Sequence, residues 1–377
     1  MKNLIRTNPK AFLLSMLSTL ILFACTNDNI KQDEFYRDLN FNLGWKFTNS
    51  DIKNAAQPGF DDSQWRSIDL PHDISVEDLQ IQDSIHIGPF FKGIEKGIDV
   101  GFLSGGTAWY RKSFQLEPED IGQQVILNFD GVQSEAIVFV NGKQLAEHKY
   151  GYTPFNVNIT PYLVEAGNVN VVAVKVTNQE QSSRWYTGFG IYRNVTLSVI
   201  DPVHIADWGV AVTTALVDEN EAVVKLAIQV ENTNQSEETV QVKTEIIAPD
   251  KTVLQIIDQE LMVKSDGQTN SNFELSIANP VLWNLESPNL YSAKVMLIKN
   301  GQKKDEYLVN FGIRTIEFSA EKGFLLNGKP VLLKGACMHH DNGILGAAAF
   351  KTAEYRRVAI MKKNGFNAIR TSHNPPS

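Results

Sequence analysis

Cysteine is almost missing from this chain: 377 residues hold two, Cys25 and Cys337. No disulfide framework can be built on them, so the fold has to rest on its cores. Positive charge is also short. Lysine and arginine number 35 against 43 acidic residues, a formal net charge of −8. That balance argues against wholesale nucleic-acid binding, which needs basic faces, and favours solubility. No internal repeat and no low-complexity tract is visible. What is present is ordinary globular material. Apolar residues make up 43%, aromatics 10% and charged residues 21%, which is enough for true cores in the two or three domains that this length suggests.

The N-terminus reads as a targeting segment. Lys2, Arg6 and Lys10 form a basic region, and Ala11 to Ala24 is a mostly apolar stretch of 14 residues broken by Ser15, Ser18 and Thr19. It is too short for a comfortable membrane span. It ends at Leu22-Phe23-Ala24-Cys25, which resembles the lipobox of bacterial lipoproteins. The resemblance implies cleavage before Cys25, lipidation of its thiol, and an exported protein anchored to a membrane, periplasmic or at the cell surface. The plain alternative is an ordinary signal peptide with an incidental cysteine. Residues 25–35 are polar and read as a tether. Cys337 is expected to be a small buried residue at a strand end.

From about 36 to 200 the pattern is all-β. Gln124–Phe129 and Ala136–Val140 are strand-like runs, and Asn141-Gly142 follows the second as a hairpin signal. Another strand is expected over Val169–Val176. Many short strands with turn punctuation suggest a jelly-roll sandwich. A second β region, 203–312, places strands at Ala222–Val230, Thr239–Ile247, Phe273–Ile277 and Tyr291–Ile298, with a hairpin at Asn300-Gly301. It fits an immunoglobulin-like sandwich without a cysteine pair.

Beyond 318 the period changes. An apolar run ends at Gly335-Ala336-Cys337-Met338-His339-His340-Asp341. Thr352 is placed to cap a helix running to Lys363 or Asn364, with Gly365 as the stop and Tyr355, Val358 and Ala359 on one face. A second run ends at Phe366-Asn367-Ala368-Ile369-Arg370-Thr371-Ser372-His373-Asn374-Pro375. Strand, helix, parallel strand is the opening of a (β/α)8 TIM barrel, whose chemistry sits at the C-terminal strand ends. Residues 318–377 amount to about a quarter of the roughly 250 residues of such a barrel. Alternation puts His339 and Asp341 on one side and His340 on the other, so His339, Asp341 and His373 are candidates to converge. Three readings of them stay open: structural bonding at a polar rim, a His-x-Asp…His iron site, and sugar binding.

The third follows from a resemblance. Asn367 to Pro375 resembles the first signature of family 2 glycoside hydrolases, the β-galactosidase, β-glucuronidase and β-mannosidase group. Leu70-Pro71-His72-Asp73, Ala108 to Phe114, Asp130-Gly131-Val132, Val140-Asn141-Gly142, Gly151-Tyr152-Thr153-Pro154-Phe155 and Arg184 to Arg193 resemble that family's N-terminal sugar-binding domain. Phe311-Gly312-Ile313-Arg314 and Phe324 to Pro330 resemble the approach to its barrel. The motifs run from about 36 to 377 in the family's order of domains.

The resemblance implies retaining hydrolysis of a terminal β-glycoside, β-galactosidase-like, by two carboxyl groups about 5–5.5 Å apart. In the family both are glutamates on later barrel strands, one preceded by asparagine. The chain has one Asn-Glu pair, Asn220-Glu221, expected to be a surface turn. The catalytic pair is therefore expected beyond Ser377, and these 377 residues alone are expected to be inactive. The resemblance makes His339 and His373 first-subsite sugar contacts and brings Asp73 into the active site. Arg370 then pairs with a carboxylate there or in a structural ion pair, and Asp341 and Arg184 are further substrate-binding candidates. Trp109 and Tyr110 read as core aromatics. No cofactor is implied; a metal ion is possible in the family, but no ligand set is identified. The carbohydrate substrate is the expected partner, with β-glucuronide and β-mannoside as alternative classes. Two readings compete: a non-catalytic carbohydrate-binding lipoprotein, and an interaction module. A well-formed barrel opening speaks against both.

Overall fold

The computed structural model describes residues 38–377, apart from 78, 80, 81, 84, 85, 96, 97, 180–184 and 219. The targeting segment, the tether, Cys25 and Arg184 lie outside the described residues. The remainder is mostly β and falls into the expected architecture.

The first sandwich faces a four-stranded antiparallel sheet (Asp38–Asn40, Val195–Ile200, Gln124–Phe129, Phe155–Asn158) against a six-stranded one (Lys143–His148, Glu135–Val140, Asn170–Asn178, Gly106–Phe114, Trp45–Thr48, Arg66–Ile68). Alternation explains the packing. In Gln124–Phe129 every second residue, Val125, Leu127 and Phe129, is buried, and these meet Ala136, Val138 and Val140 of the opposite sheet in one core. Trp109 and Tyr110 are buried core residues, as the sequence suggests. A smaller sheet, His86–Ile87, Phe90–Glu95 and Ile98–Leu103, forms an extension.

The second sandwich packs Val203–Val217, Glu221–Asn232 and Gly267–Ala278 against Val253–Val263, Glu238–Ile247, Tyr291–Lys299 and Gln302–Phe311. Both hairpin signals are turns with two positive φ angles, +50° and +83° at Asn141-Gly142 and +52° and +74° at Asn300-Gly301, as a primed two-residue turn requires. Asn220-Glu221 closes a third hairpin, where Asp218 N–H donates to the Glu221 carbonyl. Among the strands that the sequence reading does not name, two are long. Val203–Val217 is interrupted by bulges, and Val253–Val263 is a sheet edge with few buried residues, so neither shows clean alternation.

A three-stranded meander (Ile316–Ser319, Gly323–Leu326, Lys329–Pro330) precedes the parallel pair Gly335–Met338 and Ala368–Thr371, joined through the helix Lys351–Lys363. Asn367 clamps the base of the pair: its Oδ1 accepts from Lys334 N–H at 2.7 Å and its Nδ2 donates to the Leu332 carbonyl at 3.0 Å. The helix departs from expectation at its start. Phe350 is the N-cap and no side chain caps it; Thr352 sits inside the first turn. The stop is as expected, with Gly365 at φ +85°. Tyr355 and Val358, which the periodicity puts on one face, are exposed.

Candidate functional site

The ends of the two parallel strands carry the polar clusters, and the first sandwich closes against them. His339 leaves the end of Gly335–Met338, and Arg357 from the helix donates to its carbonyl. His373 follows Ala368–Thr371 in the left-handed region, φ +71°, uncommon for a residue with a side chain. The two rings meet edge to face with centroids 5.7 Å apart. A cleft of about 40 Å³ lies beside them, lined by His339, His340, Tyr192, Arg193, Ser372 and Asn374 among others.

His340 goes the other way, as alternation suggests. Its ring meets Tyr152 and Tyr192 edge to face, 5.2 and 6.0 Å between centroids, and its Nε2–H donates to the Thr187 carbonyl at 3.0 Å. Burial pulls its pKa below the usual imidazole value. The Thr187 bond and Asp341 oppose the shift, while Arg193 and His339 add to it. His340 is thus a neutral strut between the strand end and the sandwich.

Asp341 does not join His339 and His373. It is half-buried, and its negative charge bears on Tyr186 and His340. Regular alternation stops with the strand at Met338, so the period-two argument does not carry to Asp341. Among the described residues no three His, Cys, Asp or Glu side chains cluster as a metal site, which leaves the iron reading without a ligand set.

Arg370 is exposed. It donates from Nη1 to Cys337 Sγ at 3.6 Å rather than to a carboxylate. Cys337 is exposed rather than buried: among the described residues the parallel pair is a two-stranded sheet with no third strand. Hydrogen bonding from Arg370 and then Ser372 lowers its thiol pKa.

Asp73 differs most from expectation. The resemblance sends it toward the substrate; the structure buries it to 2% exposure and occupies both oxygens. Oδ1 accepts from Ser75 N–H at 2.9 Å and Phe189 N–H at 3.0 Å. Oδ2 accepts from Ala347 N–H at 2.7 Å and from the Tyr186 hydroxyl. Burial, with the charge of Asp73, drives the Tyr186 pKa far above its ordinary value, so that hydroxyl stays a donor. A Cβ on Gly188 would lie 2.6 Å from Ala347 Cβ, and Gly188 has φ +75°; only glycine serves there. Gly346, at φ +59°, has no room for a Cβ against Asp73 and Tyr186 either. Asp73 is therefore the joint between the sandwich and the loop that follows the first barrel strand.

Arg193 makes a second joint. It is 1% exposed and donates to the Tyr152 carbonyl at 3.1 Å and to the Pro375 carbonyl at 2.7 Å, two residues past His373. A third is the bond from Ala349 N–H to the Tyr192 carbonyl at 2.9 Å. Sequence reasoning missed Tyr186, Arg193 and Ala347–Ala349 as positioning groups. The available signal was the run of three alanines in the loop between the first parallel strand and the helix, where small side chains let two backbones approach.

The chain matches three domain models of one family: the glycosyl hydrolases family 2 sugar binding domain over residues 42–201, glycosyl hydrolases family 2 over 203–314, and the family 2 TIM barrel domain over 318–377. The chain belongs to glycosyl hydrolase family 2. Among family 2 relatives, a beta-galactosidase of Bacteroides ovatus is 39% identical over 363 residues, 94% of this chain and 40% of that protein. A beta-glucuronidase of Bacteroides fragilis is 30% identical over 96% of this chain and 49% of that protein. A solved family 2 structure from Bacteroides cellulosilyticus superposes with a TM-score of 0.84 at 39% identity, over 91% of this chain and 44% of that one. The chain thus spans two fifths to a half of the length of these relatives.

Proposed function

We propose that these residues form part of the sugar-binding rim of an exo-acting, retaining β-glycosidase that acts on a β-galactoside. The observation that carries the reading is the meeting of His339 and His373, centroids 5.7 Å apart, at the ends of two paired parallel strands. Imidazoles there bond sugar hydroxyls and strengthen those bonds as charge develops in the transition state. Arg370 and Asp341 stand on the same rim as further binding groups. Asp73 acts from behind it by holding the loop Asn342–Phe350. The two carboxyl groups that retention requires are assigned to glutamates beyond Ser377; Asn220-Glu221, in a hairpin turn of the second sandwich, supplies neither.

The choice of galactoside leans on the 39% identity to the Bacteroides ovatus beta-galactosidase, against 30% for the Bacteroides fragilis beta-glucuronidase. The targeting segment adds export and a lipid anchor on Cys25. The deciding experiment expresses the whole reading frame and assays nitrophenyl β-galactoside, β-glucuronide and β-mannoside. Galactoside turnover should dominate, and His373→Ala should lower kcat/KM by about 10²–10³-fold, the usual cost of losing a transition-state hydrogen bond. Unchanged turnover in that variant would remove His373 from the site, and preference for the glucuronide would replace the substrate. Detergent phase partition tests the anchor: Cys25→Ser should move the protein from the detergent to the aqueous phase.

A further inference from the structure

Away from the strand ends, a groove of about 640 Å³ crosses the outward face of the jelly roll's four-stranded sheet. Its floor follows from strand alternation. Where Leu127, Phe129, Val195 and Leu197 turn into the core, Asn128 and Thr196 turn out. Asn128 Nδ2 donates to Thr196 Oγ1 at 3.3 Å and Ser198 Oγ at 2.7 Å, and Ser198 in turn donates to Asp38. The floor is a ladder of fixed amide and hydroxyl groups.

The wall comes from the second sandwich. In the strand Val203–Val217 the register jumps from Ile205 to Val210. The bulge projects Trp208, 81% exposed and at φ +57°. Gly209 permits it: a Cβ there would lie 2.6 Å from the Ala206 carbonyl oxygen. Asn156 on the sheet donates to Asp207 beside Trp208, tying floor to wall. A bare indole on a left-handed backbone combines two local costs in one residue, exposed apolar surface and steric strain. Strain of this kind gathers where a ligand is held.

We infer that this groove is a second glycan-binding site, separate from the strand-end cleft, that takes a neutral oligosaccharide with one sugar ring stacked on Trp208. The apolar C–H face of a pyranose suits an indole, and its equatorial hydroxyls suit a row of amides and hydroxyls. The volume is that of a small-molecule site. The lining carries Asp38, Asp130 and Asp207 and no lysine or arginine, which repels uronates, sulfated sugars and phosphates. The site goes beyond the hydrolytic reading and does not depend on it.

The test is affinity electrophoresis of the full chain in native gels containing neutral galactan, galactomannan or xyloglucan, with polygalacturonate as the anionic control. Retardation is expected in at least one neutral gel and not in polygalacturonate. Trp208→Ala should weaken it about tenfold, and Thr196→Arg, which fills the floor, should abolish it; His373→Ala should leave it intact. Trp208 packs against little, so its removal spares the fold. No retardation in any neutral gel overturns the site, as does retardation that survives both groove variants. Retardation lost in His373→Ala but kept in Trp208→Ala would place all glycan binding at the strand ends, ending this inference while supporting the hydrolytic one.

Discussion

The first sandwich and the barrel segment bury their residues in opposite ways. The sandwich encloses Trp45, Leu127, Val138 and Val174 at zero exposure inside two sheets. The barrel helix has no buried residue at all, and Ile344, Leu332 and Tyr355 are 95%, 76% and 77% exposed. What the barrel segment does bury is a short list: Leu325 and Leu326 of the meander, then Ala347, Ala348, Ala349 and Ser372. The two regions therefore draw stability from different sources. One closes on its own core; the other, whose parallel strands lack cover over the Cys337 face, is tied to the sandwich at its loops and strand end through Asp73, Arg193 and His340.

Limited proteolysis offers the largest effect. Cleavage should begin within 318–377 and leave a fragment of about 38–312; a resistant segment reaching Ser377 would break the contrast. Next comes Asp73→Ala, which strips four donors of their acceptor. Urea unfolding should report a loss of about 3–5 kcal/mol, the range for removing one partner from a buried charged network. A loss near zero would mean that the joint is not taut. Gly188→Ala should cost about 2 kcal/mol through the clash with Ala347 and the positive φ, and should raise protease sensitivity of the barrel segment more than that of the sandwich.

The pH dependence is smaller and has a definite sign. Burial holds the folded pKa of His340 below the ordinary imidazole value of about 6.5, so the unfolded chain binds its proton more readily. Its contribution is fully present above about pH 6.5 and is lost as the pH falls toward the folded pKa. Melting temperature should drop on acidification through that window, and His340→Phe should flatten the drop; an unaltered profile would take His340 out of the interface. The smallest effect belongs to Thr352→Ala. The structure gives Thr352 no capping bond, so stability should change by less than about 0.5 kcal/mol, whereas a true cap would cost about 1 kcal/mol.

Much of the fold was legible because local signals and tertiary structure agree in the sandwiches. Asn141-Gly142 and Asn300-Gly301 demand primed turns, and the runs beside them alternate as half-buried strands do. The barrel opening was legible from a change of period. The site was less so, and for one reason: its decisive contacts join residues far apart in the chain. Asp73 and Ala347 are separated by 274 positions, Arg193 and Pro375 by 182, and no window of sequence contains either pair. The motif around Asp73 drew attention to a residue whose partners here are Ser75, Phe189, Ala347 and Tyr186. Cys337 was misread because a strand pattern reports which face is apolar, not whether anything covers it, and Thr352 because the helix begins at Lys351, with Phe350 in the cap position.

The alanine run Ala347–Ala349 bears on how this architecture can be rebuilt. The Ala347 methyl packs with Tyr152, Tyr186 and Tyr192 of the sandwich, and the run's backbone answers to Asp73 and Tyr192. Each half of that seam is meaningless without the other. A hybrid that grafts a foreign barrel onto this sandwich inherits half a lock, and it should come apart at the seam unless the donor brings residues of the same size at the same three positions. The two regions, though separate folds, are best exchanged in the laboratory as a pair.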